Sequence, residues 1–493
     1  MNLLLLFNPS NTTPTPLSSL LQKPNLVPHR KLTRHPSHLY PPFNPVTMFS
    51  SLHALETSFS VDVAKAEARA LNVPLLSPFT IATSRLDAVH NVAVRVELVN
   101  GCVGWGEAPV LPSVTAEDQP TALSAASHAC AFLVRSPPMP LASALSEISR
   151  FLPGHGFASV RAGVEMALID AVAASAGIPL WKLFGGALDS ITTDITIPIV
   201  SPSEAAELAG KYYKQGFSTL KLKVGKNLES DIEVLKAIRV AHPTCSFILD
   251  ANEGYTANEA IEVLDKLHEM GVIPVLFEQP VHRDDWEGLC HVSHVAKEKY
   301  GVSVAADESC RSLQDAQKII QGNLANVINI KLAKLGVLGA LEIIEVSRKA
   351  GIGLMIGGMV ETRLGMGFAG HLAAGLGCFS FIDLDTAILL ADDPVVGGYE
   401  VSGAHYKFTD ASGQGVFLHW DKVESVTCDP SQLSSCLAAF NTGQQPTSEC
   451  CAKLNEQKPC LCQYVKNPMF QGYINSGNGK KVASACHVTI PKC

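Results

Sequence analysis

Charged residues recur at the ends of short apolar runs along the middle of the chain: Lys221 and Lys223, then Asp250, Glu278, Asp307, Lys331, and Asp383 with Asp385. One charge at a buried strand end is compatible with a structural ion pair. Five successive runs ending in charge are not easily explained that way, because buried charge is costly unless it is paired or bound to metal. Asp250, Glu278 and Asp307 offer oxygen ligands only, which suits one hard cation such as Mg2+. Lys221 and Lys223 are two apart, so on a strand they face the same side. Beside a cation, two neighbouring ammonium groups are expected to lower each other's pKa and make a neutral lysine base accessible. Lys331 arrives on a later run, from across the site. Two lysines on opposite faces of a substrate can remove a proton from one side and return it from the other, which is epimerisation. A metal stabilises the enolate formed when the carbon beside a carboxylate is deprotonated. Asp383 and Asp385 share a face and can hold a free ammonium group of the substrate. The competing reading makes Asp385 a helix cap and Asp383 a salt-bridge partner. Arg85 is a candidate partner for a substrate side-chain carboxylate, or a solvent-facing arginine. Asn252 and Glu308 are expected to support the ligands or cap helices, and Glu361, in the loop 357–362, borders the site without an assigned role.

These residues need a scaffold that brings strand ends together. The runs Asp194–Val200, Thr219–Val224, Phe247–Asp250, Val275–Glu278, Val302–Asp307, Val327–Lys331, Gly353–Gly357 and Phe381–Asp385 are short, apolar and β-branched, as strands buried on both faces should be. They recur about every 25–30 residues, the spacing of eight βα units in a closed barrel, whose catalytic groups gather at the carboxyl ends of the strands. Amphipathic stretches lie between them: Ser230–Val240, Ala257–Met270 and Leu338–Lys349. A doubly wound open sheet is the alternative, but eight evenly spaced units favour the barrel. Upstream, Val92–Leu98 and Cys102–Glu107 flank Asn100-Gly101, a hairpin signal. Thr115–Arg135 and Ser159–Ala176 read as helices, the second ending at Gly177 with Pro179 beyond.

The chain has 493 residues, 47% of them apolar, and a formal net charge of −8. That balance gives no support for nucleic-acid binding, and no apolar run is long enough for a membrane span. The first 50 residues contain no Asp or Glu and are rich in Ser, Thr and Pro, which fits a transit peptide for a chloroplast or other plastid. Met48 is a candidate alternative start that would leave the enzyme in the cytoplasm. Six of the 14 cysteines are scattered before residue 428 and read as reduced thiols, whereas eight crowd into Cys428–Cys493. That density indicates a disulfide-stapled small domain, of a kind normally secreted, and the C-x2-C pairs of zinc sites are lacking there. Spacing alone leaves all 105 pairings open.

The motifs Thr219-Leu-Lys-Leu-Lys-Val-Gly225, Asp250-Ala-Asn252, Glu278-Gln-Pro280, Ala306-Asp-Glu-Ser309 and Asn329-Ile-Lys-Leu-Ala-Lys334, with Pro179–Gly186 ahead of them, resemble the muconate lactonizing subgroup of the enolase superfamily. The resemblance implies an α+β capping domain on a (β/α)7β barrel, one Mg2+ per active site held by Asp250, Glu278 and Asp307, and acid/base roles for Lys223 and Lys331, with Lys221 binding substrate. Homo-oligomers are common in that subgroup. Phe381-Ile-Asp-Leu-Asp-Thr386 resembles the feature with which L-Ala-D/L-Glu-type dipeptide epimerases bind the dipeptide amino terminus; an N-acylamino acid racemase is the alternative within the subgroup. The tail order C…C…CC…CXC…C…C resembles plant type 2 nonspecific lipid-transfer proteins. It implies a small helical bundle around an apolar tunnel for a lipid ligand, with Val465, Phe470 and Tyr473 as candidate lining. The pairing it implies is Cys428–Cys460, Cys436–Cys450, Cys451–Cys486 and Cys462–Cys493. The expected organisation is therefore a leader (1–57), a capping domain (58–190), a barrel (191–424) and a lipid-transfer-like tail (425–493).

Overall fold

The computed structural model describes residues 50–82, 84–420, 423 and 430–488. Three antiparallel strands form the capping sheet: β1 (Val63–Thr80), β2 (Arg85–Leu98) and β3 (Val103–Ala108). The turn between β2 and β3 falls at Asn100-Gly101, where Gly101 has φ +84°. Four helices accompany the sheet: α1 (Ser50–Ser58), α2 (Gln119–Arg135), α3 (Leu141–Phe151) and α4 (Ala158–Ser175). Helix α2 starts later than expected because Asp118 caps it, accepting the Thr121 amide at 2.9 Å. The leader was expected to reach residue 57, yet α1 is helical, and its Leu52, 1% exposed, packs into the capping core. The transit-peptide reading itself falls on residues 1–49, outside the described residues.

Helix α4 is apolar almost all round and is buried on nearly every face. Strand β3 lies directly on it: a Cβ at Gly106 would stand 1.9 Å from the Gly163 carbonyl oxygen, so only glycine lets the two backbones approach.

The eight predicted runs form one parallel sheet in chain order: β4 (Ile195–Ile197), β5 (Thr219–Lys223), β6 (Ser246–Asp250), β7 (Leu276–Glu278), β8 (Ser303–Ala306), β9 (Val327–Ile330), β10 (Gly353–Gly357) and β11 (Phe381–Asp383). The sheet curls until its edges meet, with Asp194 N donating to Ile382 O (3.0 Å) and Leu384 N to Thr193 Oγ1 (2.9 Å). Seven helices follow the first seven strands: α5 (Pro202–Lys214), α6 (Leu228–Ala241), α7 (Ala257–Glu269), α8 (Trp286–Val295), α9 (Leu313–Gly322), α10 (Val337–Ala350) and α11 (Arg363–Leu376). This is a (β/α)7β barrel, and the open-sheet alternative falls. Ile248, Leu276, Ala305, Val327 and Met355 form an apolar plug inside the barrel. Strands β4, β5, β8, β9 and β11 end one to three residues earlier than expected, so that Asp307, Lys331 and Asp385 stand just beyond their strands.

After β11 the chain returns to the capping sheet. Trp420 packs at an incline against Trp105 (ring centroids 5.6 Å apart, planes 56° apart), lies under the Arg69 guanidinium, and donates through Nε1 to Glu67 Oε2 at 3.2 Å.

The described part of the tail is helical, with Ser448–Glu456 and Gly477–Ala485 its longest helices. Cys436–Cys450 and Cys451–Cys486 are bonded as expected. Cys460 is also in a disulfide. Its expected partner Cys428, the Cys462 side chain and Cys493 lie outside the described residues. The helices enclose an apolar cavity of about 530 Å³ lined by Leu437, Phe440, Leu461, Phe470, Tyr473 and Ile474 among others. Val465, expected to line it, packs against the surrounding core instead. No helix among the described residues is long and apolar enough to cross a membrane.

Candidate active site

Lys221, Lys223, Asp250, Glu278, Asp307, Lys331 and Asp383 meet at the carboxyl ends of the barrel strands. Lys221 Nζ lies 3.0 Å from Asp250 Oδ2, 2.8 Å from Glu278 Oε2 and 2.7 Å from Asp383 Oδ2. Lys223 Nζ contacts Asp250 Oδ2 at 2.6 Å, and Lys331 Nζ contacts Asp307 Oδ2 at 2.8 Å. Lys223 ends the second strand and Lys331 follows the sixth. Four strands apart in a ring of eight, they stand on opposite sides of the barrel.

Burial raises a carboxylate's pKa, but Lys221, Lys223 and Lys331 outweigh it at Asp250 and hold that group well below the usual range. At Asp307 burial is likewise overcome, by Lys331 and Lys334. Glu278 is pushed up to about 7 by burial and by Asp250, with Lys221 opposing. Burial works against the charge of Lys221, yet Asp250, Asp383 and Glu278 hold its pKa well above the ordinary value. Lys331 is likewise raised, burial being overcome chiefly by Asp307. At Lys221 and Lys331 the nearby carboxylates outweigh the repulsion between ammonium groups.

The three carboxylates fit a hard divalent cation. Glu278 Oε2 and Asp307 Oδ2 are buried and accept no well-aligned hydrogen bond, being balanced only by the ion pairs to Lys221 and Lys331. Their other oxygens are held in place: Glu278 Oε1 accepts from Asn329 Nδ2 at 2.8 Å, and Asp307 Oδ1 from Lys334 Nζ at 2.6 Å. Glu278 and Asp307 are thus anchored through one oxygen and leave the other without a hydrogen bond, as an oxygen-coordinated metal requires, whereas Asp250 accepts through both, from the Asn252 amide at 3.0 Å and Lys223 Nζ at 2.6 Å. A second acidic group, Asp194, Asp383 and Asp385, brings one oxygen from each residue within 4.8 Å of the others. Burial and the neighbouring Asp383 and Asp385 raise the pKa of Asp194 well above its ordinary value.

Asp383 is engaged by Lys221, and Asp385 Oδ2 accepts the Thr196 amide at 2.6 Å while its Oδ1 has no hydrogen bond. Asp385 does precede a short 3-10 turn but makes no side-chain cap to it. Arg85, the candidate partner for a substrate side-chain carboxylate, opens strand β2 with its side chain 61% exposed and paired with Asp87 at 3.1 Å, and does not join the cluster. Asn252 and Glu308 cap no helix; they are buried together, Asn252 Nδ2 donating to Glu308 Oε1 at 3.2 Å.

Gln279, Lys334 and Asp194 were not singled out from the sequence. Gln279 Oε1 accepts from the amides of Asp307 and Ser309, and its Nε2 donates to Ser309 Oγ, tying the ends of β7 and β8 together. Gln279, directly after Glu278, has φ +35°, unfavourable for a glutamine, and Asn252, two residues after Asp250, has φ +41°, which asparagine tolerates better. Gln279 and Lys334 stand inside the Glu278-Gln-Pro280 and Asn329–Lys334 motifs, which is the signal that pointed to them.

Residues 64–185 match the mandelate racemase/muconate lactonizing enzyme N-terminal domain, residues 204–422 an enolase C-terminal domain-like family, and residues 413–493 a probable lipid transfer family. An L-Ala-D/L-amino acid epimerase of Populus trichocarpa is 68% identical over 414 residues, covering 84% of this chain and 97% of the poplar protein. The substrate-liganded structure of the L-Ala-D/L-Glu epimerase from Bacillus subtilis superposes with a TM-score of 0.69 at 35% identity, over 72% of this chain and 99% of that one. A dipeptide epimerase from Enterococcus faecalis, solved with Mg and the dipeptide L-Leu-L-Tyr, gives a TM-score of 0.66 at 32% identity, over 72% and 99%.

Proposed function

The chain belongs to the mandelate racemase/muconate lactonizing enzyme family of the enolase superfamily, and from that premise we propose that its barrel is a magnesium-dependent epimerase of dipeptides of the L-Ala-D/L-Glu type. The observation that carries the proposal is the placement of Lys223 and Lys331 on opposite sides of a buried carboxylate cluster. Asp250, Glu278 and Asp307 would hold the metal. Bound there, Mg2+ supplies positive charge that stabilises negative charge developing on the substrate carboxylate. One lysine takes the α-proton while the other, as ammonium, returns a proton to the opposite face. Lys221 sits among the ligands and stays cationic, which suits it to bind the substrate carboxylate. Asp383 and Asp385 would hold the substrate ammonium group, a role that the unbonded Asp385 Oδ1 supports, so a free amine distinguishes this reading from N-acylamino acid racemisation. The names of the poplar and Bacillus subtilis relatives support an N-terminal L-Ala. The acid-free first 50 residues support a plastid address.

Incubation with L-Ala-L-Glu and Mg2+ in D2O should give α-deuterium in both epimers. A chelator should abolish the exchange and added Mg2+ should restore it. No deuterium uptake across a panel of free dipeptides would sink the proposal. Exchange of N-acetylated substrates that ignores Asp383→Asn and Asp385→Asn would favour the racemase instead.

The tail supports a second, separate reading. Its apolar cavity of about 530 Å³ suits the acyl chain of a lipid, and its matched family is described as probable lipid transfer.

A further inference from the structure

The two proposed bases are anchored by different parts of the molecule. Lys223 ends β5, and the turn that follows is fixed within the barrel. Gly225 N donates to Asp231 Oδ2 and to Tyr255 Oη, both at 3.0 Å, and Tyr255 Oη donates to Asp231 Oδ2 at 2.6 Å. Lys331 follows β9, and the chain then runs through Leu332–Leu335 and Gly336 into α10. That turn rests on helix α4 of the capping domain. Glu165 Oε2 accepts the first amides of α10, from Val337 at 2.5 Å and Leu338 at 3.3 Å. These are helix donors without an intrahelical partner, and a carboxylate is the favourable group there. Arg161, one turn before Glu165, donates through Nη2 to Leu335 O at 3.0 Å. Its Nη1 is tied to Leu152 O (2.6 Å) and Gly154 O (2.9 Å), so the guanidinium is held from the capping side. Glu165 is 0% exposed. Gly336 has φ +75°, and a Cβ there would lie 2.8 Å from Arg161 Nε and 3.0 Å from Glu165 Oε2. The turn and the Arg161–Glu165 pair therefore fit with no room for another atom.

We propose that Glu165 and Arg161 are positioning residues for Lys331: the capping domain sets the place of one base, and the barrel alone sets the place of the other. The proposal rests on the two-lysine reading above. Loosening the α4 contact displaces Lys331 and slows proton transfer on its face of the substrate, while transfer at Lys223 continues. A displacement of the order of 1 Å is enough to cost about 10²-fold.

The test uses the full chain with Mg2+ and follows the initial rate of α-deuterium entry into recovered L-Ala-L-Glu and, separately, L-Ala-D-Glu. Lys223→Ala and Lys331→Ala first show which epimer each lysine serves. Glu165→Leu should slow exchange of the Lys331-dependent epimer by roughly tenfold or more and leave the other within about twofold. Glu165→Gln, which keeps an acceptor oxygen, should recover most of the loss. Arg161→Met should show the same asymmetry and serves if Glu165→Leu does not fold; normal exchange of the Lys223-dependent epimer reports an intact fold and metal site. Equal slowing of both epimers, or of neither, overturns the positioning role and leaves the two lysines standing. If the lysine variants do not separate the epimers, the two-lysine reading falls and this proposal falls with it.

Discussion

Asn329 carries no charge, yet it holds Glu278 from the sixth strand while Lys331, two residues on, contacts Asp307. Groups that orient a metal ligand typically change metal affinity by about 10–100-fold when removed. Asn329→Leu should therefore raise the Mg2+ concentration for half-maximal epimerisation by roughly tenfold, with activity largely regained at saturating Mg2+; a titration of rate against Mg2+ measures it. Residues of this kind mark the limit of what the sequence shows. Asp250, Glu278, Asp307, Lys223 and Lys331 were legible because a charge at the end of an apolar run needs a reason. Asp194 was passed over at the start of its run, although both its oxygens lie buried without a hydrogen bond, because its meaning depends on β11 closing against β4. The surroundings of Lys221 were hidden for a related reason: its carboxylate partners come from three other strands, which spacing along one strand does not reveal.

At the scale of elements, the barrel strands were legible because each is a short apolar run between amphipathic helices. Strand β1 was not, since Pro74 and Pro78 interrupt its pattern where its pairing with β2 shifts register between Pro74 and Phe79. The close approach of β3 to α4 was equally hidden, because a glycine in a strand signals a nearby backbone without naming it. Gly106→Ala places a methyl group against the Gly163 carbonyl, and neither backbone can give way alone. It should destabilise the protein by about 2 kcal/mol or more, read as a lower denaturant midpoint for the enzyme domains.

For the whole molecule, the enzyme and the tail rest on different chemistry. Described cysteines before residue 421 are free thiols, whereas the tail is held by disulfides. A bundle this small has little core without its cross-links. Reduction of the full chain should abolish binding of a fluorescent fatty acid and leave the epimerisation rate unchanged. Parallel loss of both would tie the catalytic domains to the tail. The cysteine order made this separation readable, whereas the contact between tail and capping domain was not: Lys458 pairs with Asp118, the cap of α2, at 2.8 Å.

The return of Trp420 to the capping sheet has a mechanical consequence. The chain enters the capping sheet along β1 and leaves it at Trp420, bonded to Glu67 on that same strand. Tension between entry and exit is therefore borne by a bridge across one sheet. The barrel, strung between them as a closed bight, carries none of that load until the Trp420 clasp gives way.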